Sequence, residues 1–151
     1  MNRNEIKKRE VSNRVNIDRK KCISCLTCMS SCIVSHDGHP PRNRVVLSSK
    51  NINSPIFCRH CDLPECTYTC MSGALYIDKG TGYVLYDKEQ CGECYMCVMG
   101  CPYGVLKPNK IDGKVSKCDM CVNHPDNTSQ CVAKCPMNAI TLEKPIGGEK
   151  S

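Results

Sequence analysis

Tryptophan is absent from this chain of 151 residues, phenylalanine occurs once and tyrosine six times. Large aromatic side chains therefore cannot carry the core. Apolar residues amount to 40%, but 16 of them are cysteines, and the others make up only roughly 29% of the chain, thin for a fold of this length. Something bound to the cysteines has to contribute to the interior. No apolar run approaches the ~18 residues of a membrane span, so none is expected. The first 21 residues carry Arg3, Lys7, Lys8, Arg9, Arg14, Arg19, Lys20 and Lys21 against three acids. No apolar stretch follows them, so neither a secretory nor a twin-arginine signal is expected, and a cytoplasmic location is. Missing too are the G-x-G-x-x-G fingerprint and the G-x-x-x-x-G-K-[ST] phosphate loop, which excludes the usual cradles for dinucleotides and nucleotide phosphates. The length leaves room for one domain or two very small ones and excludes a barrel-sized catalytic scaffold.

What the chain does have is cysteine, in a fixed order. Four groups of four leave none over: Cys22, Cys25, Cys28, Cys32; Cys58, Cys61, Cys66, Cys70; Cys91, Cys94, Cys97, Cys101; and Cys118, Cys121, Cys131, Cys135. Groups one and three read C-x2-C-x2-C-x3-C, group two C-x2-C-x4-C-x3-C, and group four C-x2-C-x9-C-x3-C. Every group keeps the opening x2 and the closing x3, the mark of an internal repeat with insertions.

In a reducing cytosol such a set reads as metal ligands rather than eight disulfides. A loop with cysteines at every third position can wrap three corners of an iron-sulfur cubane, and the x3 step carries the fourth thiolate toward a neighbouring site. Structural zinc is the rival, since C-x2-C is also a zinc knuckle. Zinc sites, however, pair two C-x2-C turns across a longer gap and do not need four cysteines ending in Cys-Pro, as in Cys101-Pro102 and Cys135-Pro136. The formal charge of +6 counts each cysteine as neutral. Sixteen thiolates on four dipositive cores would add eight negative charges and bring the net to about −2. The basicity then no longer argues for nucleic acid, and the few aromatics are not interleaved with Lys and Arg as a stacking platform requires.

The sequence resembles the four-cluster, ferredoxin-like electron-transfer subunits of oxidoreductases. That family includes the beta subunits of DMSO reductase and formate dehydrogenase type and the compact ferredoxins associated with carbon monoxide dehydrogenase or aldehyde oxidoreductase. The resemblance runs from about Val15 to Leu142. It rests on the four cysteine groups in order, on Cys58-Arg59-His60-Cys61, on Ser72-Gly73-Ala74-Leu75, and on Lys117-Cys118-Asp119-Met120-Cys121. Cys32 is followed by Ile33 and Cys70 by Met71, where the family often has proline after the second group. Proline there sets backbone direction without ligating iron.

The resemblance implies four [4Fe-4S] clusters with nested ligation. Cys58, Cys61 and Cys66 would share a cluster with Cys101, and Cys91, Cys94 and Cys97 one with Cys70. Cys22, Cys25 and Cys28 would join Cys135, and Cys118, Cys121 and Cys131 would join Cys32. The implied fold class is α+β, two ferredoxin-like dicluster halves with short strands and helices and many loops. The inner half is residues 55–107. The outer is 13–54 plus 108–145, with a flexible basic segment at 1–12 and a flexible tail at 146–151. Residues 74–86 read as two strands around a Gly-rich turn, which suits an inner half. Arg14–Asp18 and Ala139–Leu142 read as strands and Lys110–Val115 as a turn. Pro40-Pro41 and the stretch from Ser48 to Pro55 read as loop.

Other residues take plainer readings. Met29, Met71, Met96, Met99, Met120 and Met137 sit beside cysteines, where they would form an apolar shell. His36, His39, His60 and His124 show no metal spacing among themselves and read as surface or structural. Lys21, Arg59, Lys117 and Lys134 neighbour ligands and read first as solvated charge, with tuning of cluster potential or docking of an acidic partner as the alternative. With four thiolates per cluster no iron is left open for substrate. The function implied is single-electron relay, without a substrate site, between a catalytic oxidoreductase subunit and a second redox protein or module. The alternative is a cluster-stabilised structural or assembly module of such a complex. An oligomer is left open.

Overall fold

The computed structural model describes residues 14–47, 53–126 and 128–143; the two expected flexible ends lie outside them. The described chain is a loop-rich α+β structure of short elements. In order they are β1 (Arg14–Ile17), α1 (Thr27–Ser35), β2 (Arg44–Leu47), β3 (Asn53–Ile56), α2 (Glu65–Thr69), β4 (Leu75–Ile77), β5 (Val84–Tyr86), α3 (Met96–Gly100), β6 (Lys107–Pro108), β7 (Val115–Ser116), α4 (Gln130–Lys134) and β8 (Ile140–Glu143). Among the described residues the strands form four separate two-stranded antiparallel sheets, β1-β8, β2-β3, β4-β5 and β6-β7.

β1 and β8 join the ends of the described chain, with Arg14 opposite Glu143 and Ile17 opposite Ile140. Their period of two is plain: Asn16, Thr141 and Glu143 face solvent, while Val15, Ile17, Ile140 and Leu142 turn toward the interior. β4 and β5 close around Asp78–Gly82, where Asp78 Oδ2 accepts from the Thr81 amide at 2.9 Å and the Thr81 hydroxyl at 2.7 Å. Gly82 supplies the left-handed residue at φ 74°. The turn between β6 and β7 uses the same device, with Asn109 Oδ1 accepting from the Ile111 amide at 3.0 Å and Gly113 at φ 73°.

The stretch read as loop up to Pro55 is partly a strand, because Asn53–Ile56 pairs with Arg44–Leu47 and Val45 lies opposite Pro55. A two-stranded sheet is all edge, so the missing proline N–H removes no bond that a second neighbour would need. The tip, 48–52, lies outside the described residues. The aliphatic core is small and threaded with sulfur. Leu75, Val84, Leu106 and Val115 pack with Cys97, and Phe57 and Ile140 pack with Cys28. Thus the hairpin of β6 and β7 lays Val115 against the inner residues, while Asn109 Nδ2 also donates to His39 Nδ1 at 2.9 Å.

Candidate metal centres

The closing x3 of each group is one helical turn. Cys28 and Cys32 both lie in α1, and Cys66, Cys97 and Cys131 lie in α2, α3 and α4 with Cys70, Cys101 and Cys135 capping their C-terminal ends. Residues i and i+4 share a helix face but are displaced along the axis by about 6 Å. One helix can therefore present two sulfurs to two neighbouring sites.

The opening x2 loops are built alike. The residue before the second cysteine is left-handed in all four: Ser24 at φ 56°, His60 at 44°, Glu93 at 59° and Met120 at 56°. Groups one and three add Leu26 at 61° and Tyr95 at 58°. Each costs a non-glycine residue about 1–2 kcal/mol, so their repetition at equivalent positions marks a constraint from whatever the loop encloses. The conformation turns backbone amides inward, where they can face anionic sulfur. Glu93 N–H donates to Cys91 Sγ and Met120 N–H to Cys118 Sγ, each at 3.5 Å.

Tertiary packing then gathers the groups. Cys22, Cys25 and Cys28 line one recess with Cys135, and Cys58, Cys61 and Cys66 line a second with Cys101. Burial raises the Cys97 thiol, and the nearby charges of Cys70, Cys91 and Cys94 raise it further. Burial likewise pushes Cys131 up to about 12, with Cys121 and Cys32 adding to it. Cys118 is driven well up by burial and then by Cys58, with a further contribution from Cys131. Burial pushes Cys28 and Cys66 up to about 11. Sulfurs so placed stay protonated by themselves and become thiolates when a cation takes the place of the proton.

That donor set fits iron-sulfur clusters. It is all soft sulfur, in sets of four, with amides aimed at the sulfurs. Structural zinc sites pair two C-x2-C turns, whereas each recess takes three sulfurs from one group and a fourth from a distant one.

Several neighbours depart from their sequence reading. Lys117 is not solvated charge: it is 3% exposed, and its ammonium donates to Cys58 Sγ at 3.2 Å, Val84 O at 2.8 Å and Cys118 O at 2.7 Å. Lys21 and Lys134 are exposed, and exposed Arg59 stacks over the Tyr103 ring at 4.1 Å. His60 is structural, buried, and accepts from the Val84 amide at 3.0 Å. Met120 is buried and Met29 packs against the Cys28 core, but Met71 is 94% and Met99 80% exposed and neither shields a cluster. Met71 follows the end of α2 and Met99 lies on the solvent side of α3, directions that adjacency to a cysteine does not reveal.

Sequence reading missed a polar group around Cys32. Arg42 N–H donates to Cys32 Sγ at 3.3 Å and its guanidinium meets Asp119 Oδ2 at 3.0 Å. His36 Nε2 meets Asp119 Oδ1 at 3.3 Å, and its Nδ1 meets the Cys32 carbonyl at 2.8 Å. Asp119 first and Cys32 second push the His36 imidazole up to about 9. Burial alone would raise the Asp119 carboxyl, but His36 and Arg42 hold it well below the usual range. His36, Asp119 and Cys121 bring ligand-type atoms within 4.8 Å of one another; this trio shares Cys121 with the fourth cysteine group and is part of that site. Only the Asp119 position inside C-x2-C hinted at it.

Residues 50–144 match the 4Fe-4S dicluster domain family. The chain is 34% identical to the electron transport protein HydN of Escherichia coli K12, over 82% of this chain and 83% of that one. It is 32% identical to the probable anaerobic dimethyl sulfoxide reductase chain YnfG of the same strain, over 82% and 69%. It is 30% identical to the beta subunit of the NADH-dependent phenylglyoxylate dehydrogenase of Aromatoleum evansii, over 83% of this chain but 29% of that one. No helix among the described residues is long and apolar enough to cross a membrane. With its repeated left-handed cysteine loops and all-sulfur donor sets, the chain belongs to the 4Fe-4S dicluster domain family, and its sixteen cysteines suffice for four [4Fe-4S] clusters.

Proposed function

We propose that this protein relays single electrons between a catalytic oxidoreductase and a second redox partner, and has no substrate site of its own. The observation that carries the reading is the gathering of cysteines from distant groups, Cys135 with Cys22, Cys25 and Cys28, and Cys101 with Cys58, Cys61 and Cys66, around two recesses. The proposed ligand sets are these two, together with Cys91, Cys94, Cys97, Cys70 and with Cys118, Cys121, Cys131, Cys32. Each bound cluster would supply a one-electron redox centre.

The protein's own residues do the rest. Four cysteines per cluster would give each iron one thiolate as its terminal ligand, which leaves substrate no open coordination position. Inward-facing amides stabilise the anionic sulfurs. Cys25 and Cys94 are the two exposed cysteines among the sixteen, and they belong to different proposed sets, which supports access for partners at two separate places. The names of the relatives, an electron transport protein and chains of oxidoreductases, support a catalytic oxidoreductase as the class of partner. The nested halves, inner 55–107 and outer 13–54 with 108–145, are part of the same proposal, as is a cytoplasmic location.

Anaerobically purified protein is expected to contain about 16 iron and 16 acid-labile sulfide per chain, with an absorbance that dithionite bleaches. Disabling one inner cluster should stop electron flow between partners, while the isolated catalytic enzyme keeps its activity with an artificial dye. Stoichiometric zinc without sulfide would overturn the proposal. Undiminished transfer through a protein lacking an inner cluster would favour a structural module instead.

A further inference from the structure

The Lys117 ammonium is buried between two cysteines of different groups, and Lys21, in the same Lys-Cys-x-x-Cys context of group one, is exposed. The repeat thus places the same residue twice and buries it once. Three donors on Lys117 Nζ are used on Cys58 Sγ at 3.2 Å, Val84 O at 2.8 Å and Cys118 O at 2.7 Å. The side chain is 3% exposed, so solvent does little to screen its charge. A buried charge without a partner is strongly unfavourable, and no carboxylate forms an ion pair with Lys117 among the described residues. Its compensation comes from the Cys58 sulfur and two backbone carbonyls.

We propose that Lys117 is a shared electrostatic positioning residue, one fixed positive charge that raises the reduction potentials of two clusters together, those held through Cys58 and through Cys118. The inference rests on the proposed function and its ligand sets. Adding an electron makes a thiolate-ligated cluster more negative, so a nearby fixed cation stabilises the reduced form of each. A cation placed between the two also offsets the repulsion between electrons resident on both, and so keeps neighbouring steps of the relay close in potential. The Lys117 bond to Val84 O anchors the charge to β5, whose amide at the same residue donates to His60 in the Cys58 loop. Its position is set by the packing of two groups and one strand.

The test is a redox titration of the holoprotein, followed by electron paramagnetic resonance, on wild type, Lys117→Met, Lys117→Arg and Lys21→Met, with iron counted in each. In Lys117→Met two of the four midpoint potentials should fall and two stay. Lys117→Arg should return both toward wild type, and Lys21→Met should leave all four in place. No shift in Lys117→Met, an equal shift of all four, or an equal fall in Lys117→Arg would overturn the inference. Should Lys117→Met assemble incompletely, loss of about half the iron, restored by arginine and with the two surviving potentials unchanged, supports a shared charge. Loss of every cluster, or failure of arginine to restore them, overturns it. A wild type without four redox centres would instead refute the proposed function.

Discussion

The surroundings of the second and third cysteine groups and those of the first and fourth are built from the same loop and helix parts but cohere differently. Around groups two and three, Leu75, Val84, Leu106 and Val115 form an aliphatic core with Cys97, contributed by hairpins whose strands are neighbours in sequence. Around groups one and four, buried contacts centre on Cys28, Phe57 and Ile140, and the closing sheet pairs Arg14 with Glu143. There the gaps are spanned by polar groups, Arg42, Asp119 and His36 around Cys32. Closing a loop across nearly the whole chain costs more entropy than closing a hairpin, and among the described residues fewer buried aliphatic side chains are present to offset it. The outer region should therefore depend more on its bound clusters.

Removing the metal gives the largest expected effect. Chelation or oxidation should unfold the chain, because bound metal supplies much of the folding free energy of a small core. On stepwise loss the β1-β8 amides should lose hydrogen-exchange protection before those of β4 and β5. Native-like NMR dispersion in the apo-protein would contradict this, and loss in the reverse order would invert the comparison.

Single ligand changes come next, and they test the pairing within the inner region. Cys70→Ser is expected to perturb the same paramagnetic signal as Cys94→Ser, leaving the signal altered by Cys61→Ser largely intact. Ligation within each group predicts the opposite.

Packing changes are smaller. A Cβ on Gly100 would already lie 3.1 Å from the Thr69 side chain, where α3 crosses α2, so Gly100→Val should cost about 1–3 kcal/mol. Thermal melts should register it, with exchange protection lost around α2 and α3 and not at β1-β8. In the outer region, Asp119→Asn leaves Arg42, whose side chain is 16% exposed, without its anionic partner. A loss of about 1–2 kcal/mol is expected, read in the same melts and confined to the α1 and α4 side.

The smallest effect belongs to the turn of the inner hairpin. Hydrogen bonds from the Thr81 hydroxyl, then from its amide, hold the Asp78 carboxyl below its ordinary value. A carboxyl depressed in the folded state stabilises it above the unfolded pKa and loses that contribution as pH falls through the folded one. Asp78→Asn should therefore loosen the turn slightly at neutral pH, seen as faster exchange at the Thr81 amide, and its difference from wild type should shrink in acid.

Much of this architecture is legible in the residues alone. The strands at Arg14–Ile17 and Ile140–Glu143 and the hairpin around Asp78–Gly82 follow from alternation and turn chemistry, which are local. β3 is not legible, because Asn53-Ser54-Pro55 carries no strand pattern and becomes one only beside Arg44–Leu47. The exposure of Met71 and Met99 depends on which way the end of α2 and one face of α3 point.

The cysteine count, the four-fold repeat and the x2 and x3 spacings determine by themselves that the chain binds metal through sulfur and that each helix presents two cysteines one turn apart. Covalent spacing and helix pitch suffice for that. Which sulfurs from distant groups share a recess is decided only by the packing of α1 on α4 and α2 on α3. So is the contrast between Lys21 and Lys117, which share the Lys-Cys-x-x-Cys frame and are opposite in environment. The strength of a charge depends on the dielectric and the partners around it, and those are supplied by residues such as Cys58 and Val84, far away along the chain.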